Sequence, residues 1–239
     1  MPKLLFVDVE TTGLEEKDRI CELALIVQDG TETTAVSSLC KSPKKIGTAA
    51  MAVHHITNEC IKDALPCAKT AVYALLEEQN TEENVLIGHN VRFELSMLEK
   101  EGLAVRLKII DTLRCVKALI PECEQFGLQF LRYELGLYKD EAAAQELGIT
   151  LSSHRALSDA WHLKLLYEHL LHYACLEELI RISSKPVLLQ KLLFGKYAGR
   201  YIEEISEIDP AYLHWMMGNI KDMDEDLSYT IGHHLGLDG

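Results

Sequence analysis

Two observations predict an α/β protein with a mixed β-sheet flanked by helices. The chain opens in the order strand, hairpin, strand, over residues 4–10, 19–28 and 33–41. From residue 85 onward, short apolar strands alternate with segments of helical period, as where helices cover a sheet. A third observation predicts a small C-terminal helical module. Composition shifts at Ser183-Ser184-Lys185-Pro186, which divides the expected domain of residues 1–184 from a module of residues 185–239.

The first strand carries the chemistry. Leu4 to Val7 is a continuous apolar run, as in a strand buried on both faces. Asp8 and Glu10 then interrupt it at alternate positions, and strand residues two apart share a face. Two carboxylates side by side repel, and burial raises the cost. A hard divalent cation offsets both effects, because carboxylate oxygens are its natural ligands. The plainer reading is a strand end that reaches water with two hydrated acids.

Asp29-Gly30 supplies the hairpin turn between the second and third strands. Ser42-Pro43 and Gly47 mark a loop, and helices are expected over residues 58–65 and 67–78. Val85-Leu86-Ile87 is a short strand ending at Gly88-His89-Asn90. Asn90 is the expected N-cap of a helix over 91–101, with Gly102 at its C-terminal end. Residues 107–110 form a strand that stops at Asp111-Thr112, and helices follow over 113–119 and 128–135. Ser152 and Ser153 are expected to cap one long helix over 154–175, with apolar residues at Ala156, Ala160, Leu163, Leu166 and Leu170. In the module, residues 194–200 form a glycine-punctuated basic and aromatic turn. Asp209-Pro210 starts a helix, and Asp222, Asp224, Glu225 and Asp226 read as a solvated acidic face.

The 239 residues carry a formal net charge of −13. That weighs against an extended surface for coating nucleic acid, which needs excess Lys and Arg. It is compatible with a cleft in which bound cations supply the local positive charge. No apolar run is long enough to span a bilayer, and the acids near the N-terminus are unlike a secretory signal. The expectation is a cytoplasmic protein with no membrane partner. Seven cysteines without a CxxC pair point to reduced thiols, with Cys21, Cys115 and Cys175 in the core.

Three separated segments resemble the motifs of the DEDDh, or DnaQ-like, 3′–5′ exonucleases. Phe6-Val7-Asp8-Val9-Glu10-Thr11-Thr12-Gly13 looks like the first motif, and Gly88-His89-Asn90-Val91-Arg92-Phe93-Glu94 like the second. His154-Arg155-Ala156-Leu157-Ser158-Asp159 looks like the third. Order and spacing fit, and the resemblance covers roughly residues 1 to 175. It implies an RNase H-like sheet. Two departures stand out. Glu94 occupies a position where the family has Asp, and His54-His55-Ile56-Thr57 replaces a common His-Gly-Ile-Thr. Phe194 to Trp215 is similar to the short C-terminal module of the exonuclease X group.

The resemblance implies two divalent cations, Mg²⁺ or Mn²⁺, held by Asp8, Glu10, Glu94 and Asp159, with His154 as general base. Asp8 would bridge the ions and Glu94 would serve the one near the leaving oxygen. Thr11, Thr12 and Gly13 would offer backbone N–H groups to the terminal nucleotide. Leu14 would give its base an apolar edge, and Asn90 and Phe93 would line the strand path. The implied reaction releases nucleoside monophosphates from the 3′ end, with DNA, single-stranded or at 3′ ends, favoured as partner. RNA trimming is an alternative, since the same motifs serve both. So are a proofreading subunit that docks a polymerase, a homodimer, and a catalytically impaired binding module supported only by Glu94. His89 is expected to tie its loop, and His162, His169 and His172 to form a solvated or partly buried helix face. His233-His234 is expected to be an exposed tail. Lys196, Tyr197 and Arg200 form either a nucleic-acid grip or a solubilising turn.

Overall fold

The structure is a computed structural model and describes residues 2–237. In chain order the elements begin with β1 (Leu4–Thr11), β2 (Ile20–Asp29), β3 (Glu32–Leu39), α1 (Thr48–His54), α2 (Asn58–Ile61), α3 (Ala71–Gln79) and β4 (Val85–Gly88). There follow α4 (Arg92–Lys100), β5 (Lys108–Asp111), α5 (Thr112–Leu119), α6 (Leu128–Glu134), α7 (Ala156–Leu170) and α8 (Leu176–Ser183). The module contains α9 (Ile202–Ile208), α10 (Pro210–Asn219) and α11 (Glu225–His234).

The five strands form the expected mixed sheet in the order β3-β2-β1-β4-β5. β1, β2 and β3 are an antiparallel meander, and β4 and β5 run parallel to β1. Strand alternation assigns the two cores. Leu4 and Phe6 pack on one face with residues of α5, α7 and α8, and Leu5, Val7 and Val9 pack on the other with residues of α3 and α4. Asp8 and Glu10 therefore continue the row of Phe6, on the side of α7.

β1 pairs with β2 along its length but with β4 only at Leu4, Leu5 and Phe6. The carboxyl end of β1 thus overhangs β4, and the chain leaves β4 through a left-handed turn at Asn90, φ 65°. β1 is also where antiparallel neighbours give way to parallel ones, the point at which open α/β sheets form a crevice. A bulge marks the same end. Glu10 faces Glu22 and Thr11 faces Ile20, which leaves Cys21 as the extra residue. Cys21 is buried with Ile46, Ile56 and Ile61.

Several local expectations are corrected. α1 lies where only a loop was expected, and residues 137–147 form consecutive 3₁₀ turns. The long helix expected over 154–175 stops at Leu170, and after a few turns a further helix, α8, follows that the sequence reading did not include. The break lets α8 bring Leu179 and Ile182 to the α7 core and aim Ser183 Oγ at the Asp111 N–H, 2.8 Å away. Cys175 is exposed, because it is the N-cap residue of α8 and not a core position. Asn90 is not a cap; its N–H donates to Asp111 Oδ1 at 3.0 Å and the helix starts after Val91. Ser152 and Ser153 do not cap α7 either, since Arg155 holds that position.

The module has its own apolar cluster of Leu192, Ile202, Ile205, Leu213, Met216, Leu227 and Ile231. Asp209 caps α10, as expected, by accepting from Tyr212 N–H, and Pro210 opens the helix. Its other oxygen accepts from Lys196 Nζ at 2.9 Å and Tyr197 O–H at 2.8 Å. Gly195 suits its place, at φ 78° and where a Cβ would run into the Tyr212 hydroxyl. Of the acidic run, Asp222, Asp224 and Glu225 are exposed as expected, but Asp226 is not. Asp226 is buried, 3.2 Å from Arg114 Nε and 3.3 Å from Lys117 Nζ, and accepts from Val187 N–H. Glu225 pairs with Arg92 and Arg114. Arg114 and Lys117 are themselves buried on α5, and an uncompensated buried charge is costly. No helix among the described residues is long and apolar enough to cross a membrane.

Candidate active site

At the open end of β1 the structure brings together Asp8, Glu10 and Asp159, whose ligand oxygens lie within 4.8 Å of one another. β1 supplies the first two on one face, and the first turn of α7 supplies the third. Their mutual field is severe. Burial pushes the Asp8 carboxyl well above the usual range, and Asp159, Glu94, Glu10 and Glu22 add to the effect. Glu10 is pushed up to about 8 by burial, then by Asp159 and Glu22, with Arg155 opposing.

Glu94 sits in the first turn of α4, outside that cluster of three but close enough for its charge to act on Asp8. Burial, with Asp111 adding, pushes it up to about 8. Its Oε2 is buried without a hydrogen-bond partner. An all-oxygen donor set, carboxylates whose joint ionisation burial and repulsion oppose, and an orphaned buried oxygen fit a hard divalent cation.

His154 is exposed, in a left-handed conformation at φ 56°, one residue before the cap of α7. Asn90 is exposed, and Phe93 is partly buried. Leu14 is 85 % exposed and forms, with Phe93, part of the wall of a cavity of about 540 Å³ beside Glu10 and Thr11. Ala49, Ala50 and Val53 of α1 complete its apolar lining. One expected contact is corrected. The N–H of Thr12 is not free, because it donates to the Arg19 carbonyl at 3.0 Å as pairing resumes past the bulge. Gly13 is needed for close approach, since a Cβ there would lie 2.8 Å from an Asp18 carboxylate oxygen.

Supporting residues went unseen in the sequence. His54 Nδ1 accepts from Ile56 N–H at 3.0 Å, so Nε2 donates to the Thr11 carbonyl at 3.2 Å and fixes the end of β1. His55 is the left-handed C-cap of α1, φ 61°, a conformation that glycine adopts at less cost. Gln129 donates to Asp159 Oδ1. His162 is fully buried beneath Asp159, with Nε2 3.2 Å from Glu141 Oε1, and is no part of a solvated face. His89 bridges Thr112 and the Phe126 carbonyl, tying its loop as expected. The small-residue run 48–53 was the one available signal for α1; the side-chain partners, distant in sequence, had none.

The exonuclease family model RNase_T matches residues 5–167, and a model described as exodeoxyribonuclease X-like C-terminal matches residues 192–221. The chain belongs to the exonuclease family, in its DEDDh, DnaQ-like branch, and is a nuclease. It is similar to exodeoxyribonuclease 10 of Escherichia coli strain K12, 28 % identical over 236 residues that span 97 % of this chain and 98 % of that one. It is also similar to a PolC-type DNA polymerase III of Latilactobacillus sakei, 30 % identical over 60 % of this chain and 11 % of that one. Among solved structures, exonuclease X in complex with 5′ overhanging duplex DNA superposes with a TM-score of 0.57 at 20 % identity, over 75 % of this chain and 99 % of that one. E. coli exonuclease I in complex with a dT13 oligonucleotide gives 0.52 at 19 % identity, over 76 % and 43 %. These superpositions show the RNase H-like fold.

Proposed function

We propose that the protein is a metal-dependent 3′–5′ exonuclease that hydrolyses DNA from the 3′ end and releases nucleoside monophosphates. The observation that carries this reading is the Asp8, Glu10 and Asp159 cluster at the open end of β1, beside an apolar cavity, in a chain of the exonuclease family. Two divalent cations, Mg²⁺ or Mn²⁺, held by Asp8, Glu10, Asp159 and Glu94, would activate water and neutralise charge that builds on the phosphate. Asp8 lies in the field of every other acid of the site and would be the ligand that the cations share. Glu94 offers its orphaned oxygen. His154, exposed on a turn, takes the proton of the attacking water. The cavity takes the terminal nucleoside, with Leu14 and Phe93 against its base. DNA is favoured over RNA because the full-length relative is named an exodeoxyribonuclease and the superposed structures are DNA complexes. We read residues 185–239 as an appended module on the strength of its separate apolar cluster.

The test uses 5′-labelled single-stranded DNA, duplex DNA and RNA with Mg²⁺, Mn²⁺ or chelator. The expected outcome is a ladder shortening from the 3′ end, mononucleotide product, and silence in chelator. Release of the 5′ label first, or faster cleavage of RNA, would overturn direction or substrate respectively. His154→Ala should slow turnover by roughly a hundredfold or more while leaving Mn²⁺ binding in place.

A further inference from the structure

Glu22 is a buried acid directly opposite Glu10 across the β1–β2 ladder, yet the reaction above gives it no task. Both its oxygens are engaged. Arg155 grips it with two bonds, Nε to Oε2 at 3.0 Å and Nη2 to Oε1 at 2.6 Å. The Ala156 N–H, at the start of α7, adds a third at 3.1 Å. Glu22 is thus turned toward α7, and its oxygens are already spent on donors.

Arg155 is anchored at its other end too. Its carbonyl accepts from Ser158 N–H at 2.9 Å and Asp159 N–H at 3.0 Å. Upstream, Ser152 N–H donates to Ser158 Oγ at 2.8 Å, and that hydroxyl donates to the Thr150 carbonyl at 3.3 Å. Only Ser153 and His154 lie between these two anchors. His154 holds its left-handed φ of 56° there without the freedom of glycine. Relaxation to an ordinary φ would redirect the imidazole, and the downstream anchor opposes that.

We infer that Glu22 is a positioning residue which, through Arg155 and the first N–H of α7, holds His154 in the left-handed turn from which it acts. The inference rests on His154 being the general base. Single-turnover and steady-state rates on single-stranded DNA are measured for wild type, Glu22→Gln, His154→Ala and the double variant, with Mn²⁺ affinity by calorimetry. Glu22→Gln should lower kcat by about 10- to 100-fold, the scale of a misplaced base, with KM and Mn²⁺ affinity within about twofold of wild type. In the His154→Ala background the same change should cost less than about twofold, because residues acting as a unit are not additive. Arg155→Lys keeps the charge but loses the fork. Its site is 43 % exposed, which guards against a folding failure, and it should show a smaller loss of the same kind. An equal loss in both backgrounds would make Glu22 a general support of α7, and lost Mn²⁺ affinity would place it in the ion site; either overturns the inference. Wild-type turnover by His154→Ala would instead sink the base assignment itself, and the inference with it.

Discussion

Glu94→Gln in metal-free protein offers a direct measure of what the site costs. Glu94 is buried, its Oε2 has no partner, and its carboxyl is pushed up to about 8 from an ordinary 4.5. Below pH 4.5 the group is protonated in both folded and unfolded chains and contributes no penalty. As pH rises the unfolded chain loses the proton first, so stability falls, until above about 8 the full penalty is present. Linkage puts that penalty at about 1 kcal/mol at pH 5 and about 5 kcal/mol at pH 9. Glutamine is nearly isosteric and does not titrate, and loss of the Glu94 charge also relieves Asp8, which acts in the same direction. The stability difference should therefore widen in favour of Glu94→Gln by about 4 kcal/mol from pH 5 to pH 9, on the order of 10 °C in Tm for a chain of this size. Urea unfolding in chelator, followed by circular dichroism across that range, measures it. Saturating Mn²⁺ should shrink the widening, because the bound cation takes over the neutralisation. Parallel pH curves for the two proteins in chelator would refute the reasoning, since Glu94 would then ionise without strain.

Asp8→Ala should abolish cleavage while raising the stability of the metal-free protein at pH 8, because it removes the acid that all the others repel; wild-type turnover with metal present would contradict its bridging role. Glu94→Asp should shift the preferred ion from Mn²⁺ toward Mg²⁺, which demands nearly ideal octahedral geometry, and identical titrations with both ions would show the extra methylene to be silent. Asp226→Ala leaves Arg114 and Lys117 buried without their counter-charge and should cost about 3–5 kcal/mol in urea unfolding; an unchanged midpoint would mean that Glu225 and water suffice. His55→Gly relieves a left-handed φ of 61° and should stabilise the protein by about 1 kcal/mol, with no gain if the backbone relaxes on its own.

The sheet was legible because its strands announce themselves locally. Apolar runs ending in Asp8 and Glu10 or in Asp111, and a hairpin at Asp29-Gly30, need no distant partner to be read. The acids of the site were legible for the same reason, each being embedded in a short contiguous motif. The rest depended on contacts that a linear pattern does not carry. α7 was overextended by five residues because nothing in the run from Leu171 to Ala174 breaks a helix, and α8 was missed because its place is set by the packing of Leu179 and Ile182 on the α7 core. Asp226 looked solvated because its neighbours in sequence are acids, whereas its partners in space lie on α5, about a hundred residues earlier. Lys196 and Tyr197 read as either a nucleic-acid grip or a solubilising turn, and their shared partner Asp209, thirteen and twelve residues on, had no signal in the sequence. Thr12 looked like a donor to a nucleotide until the bulge returned its N–H to Arg19.

That bulge also governs how the hairpin of β1 and β2 can fail. A slip of one residue would exchange the two faces of β1 and carry Asp8 and Glu10 into the layer of Val7 and Val9. Cys21 is the peg against sliding, and it is seated among Ile46, Ile56 and Ile61, with His54 Nε2 3.9 Å from its sulfur. The peg-hole thus comes from a stretch of chain made after both strands. The alignment of the row of Asp8 and Glu10 therefore leans on a segment that supplies none of the clustered carboxylates.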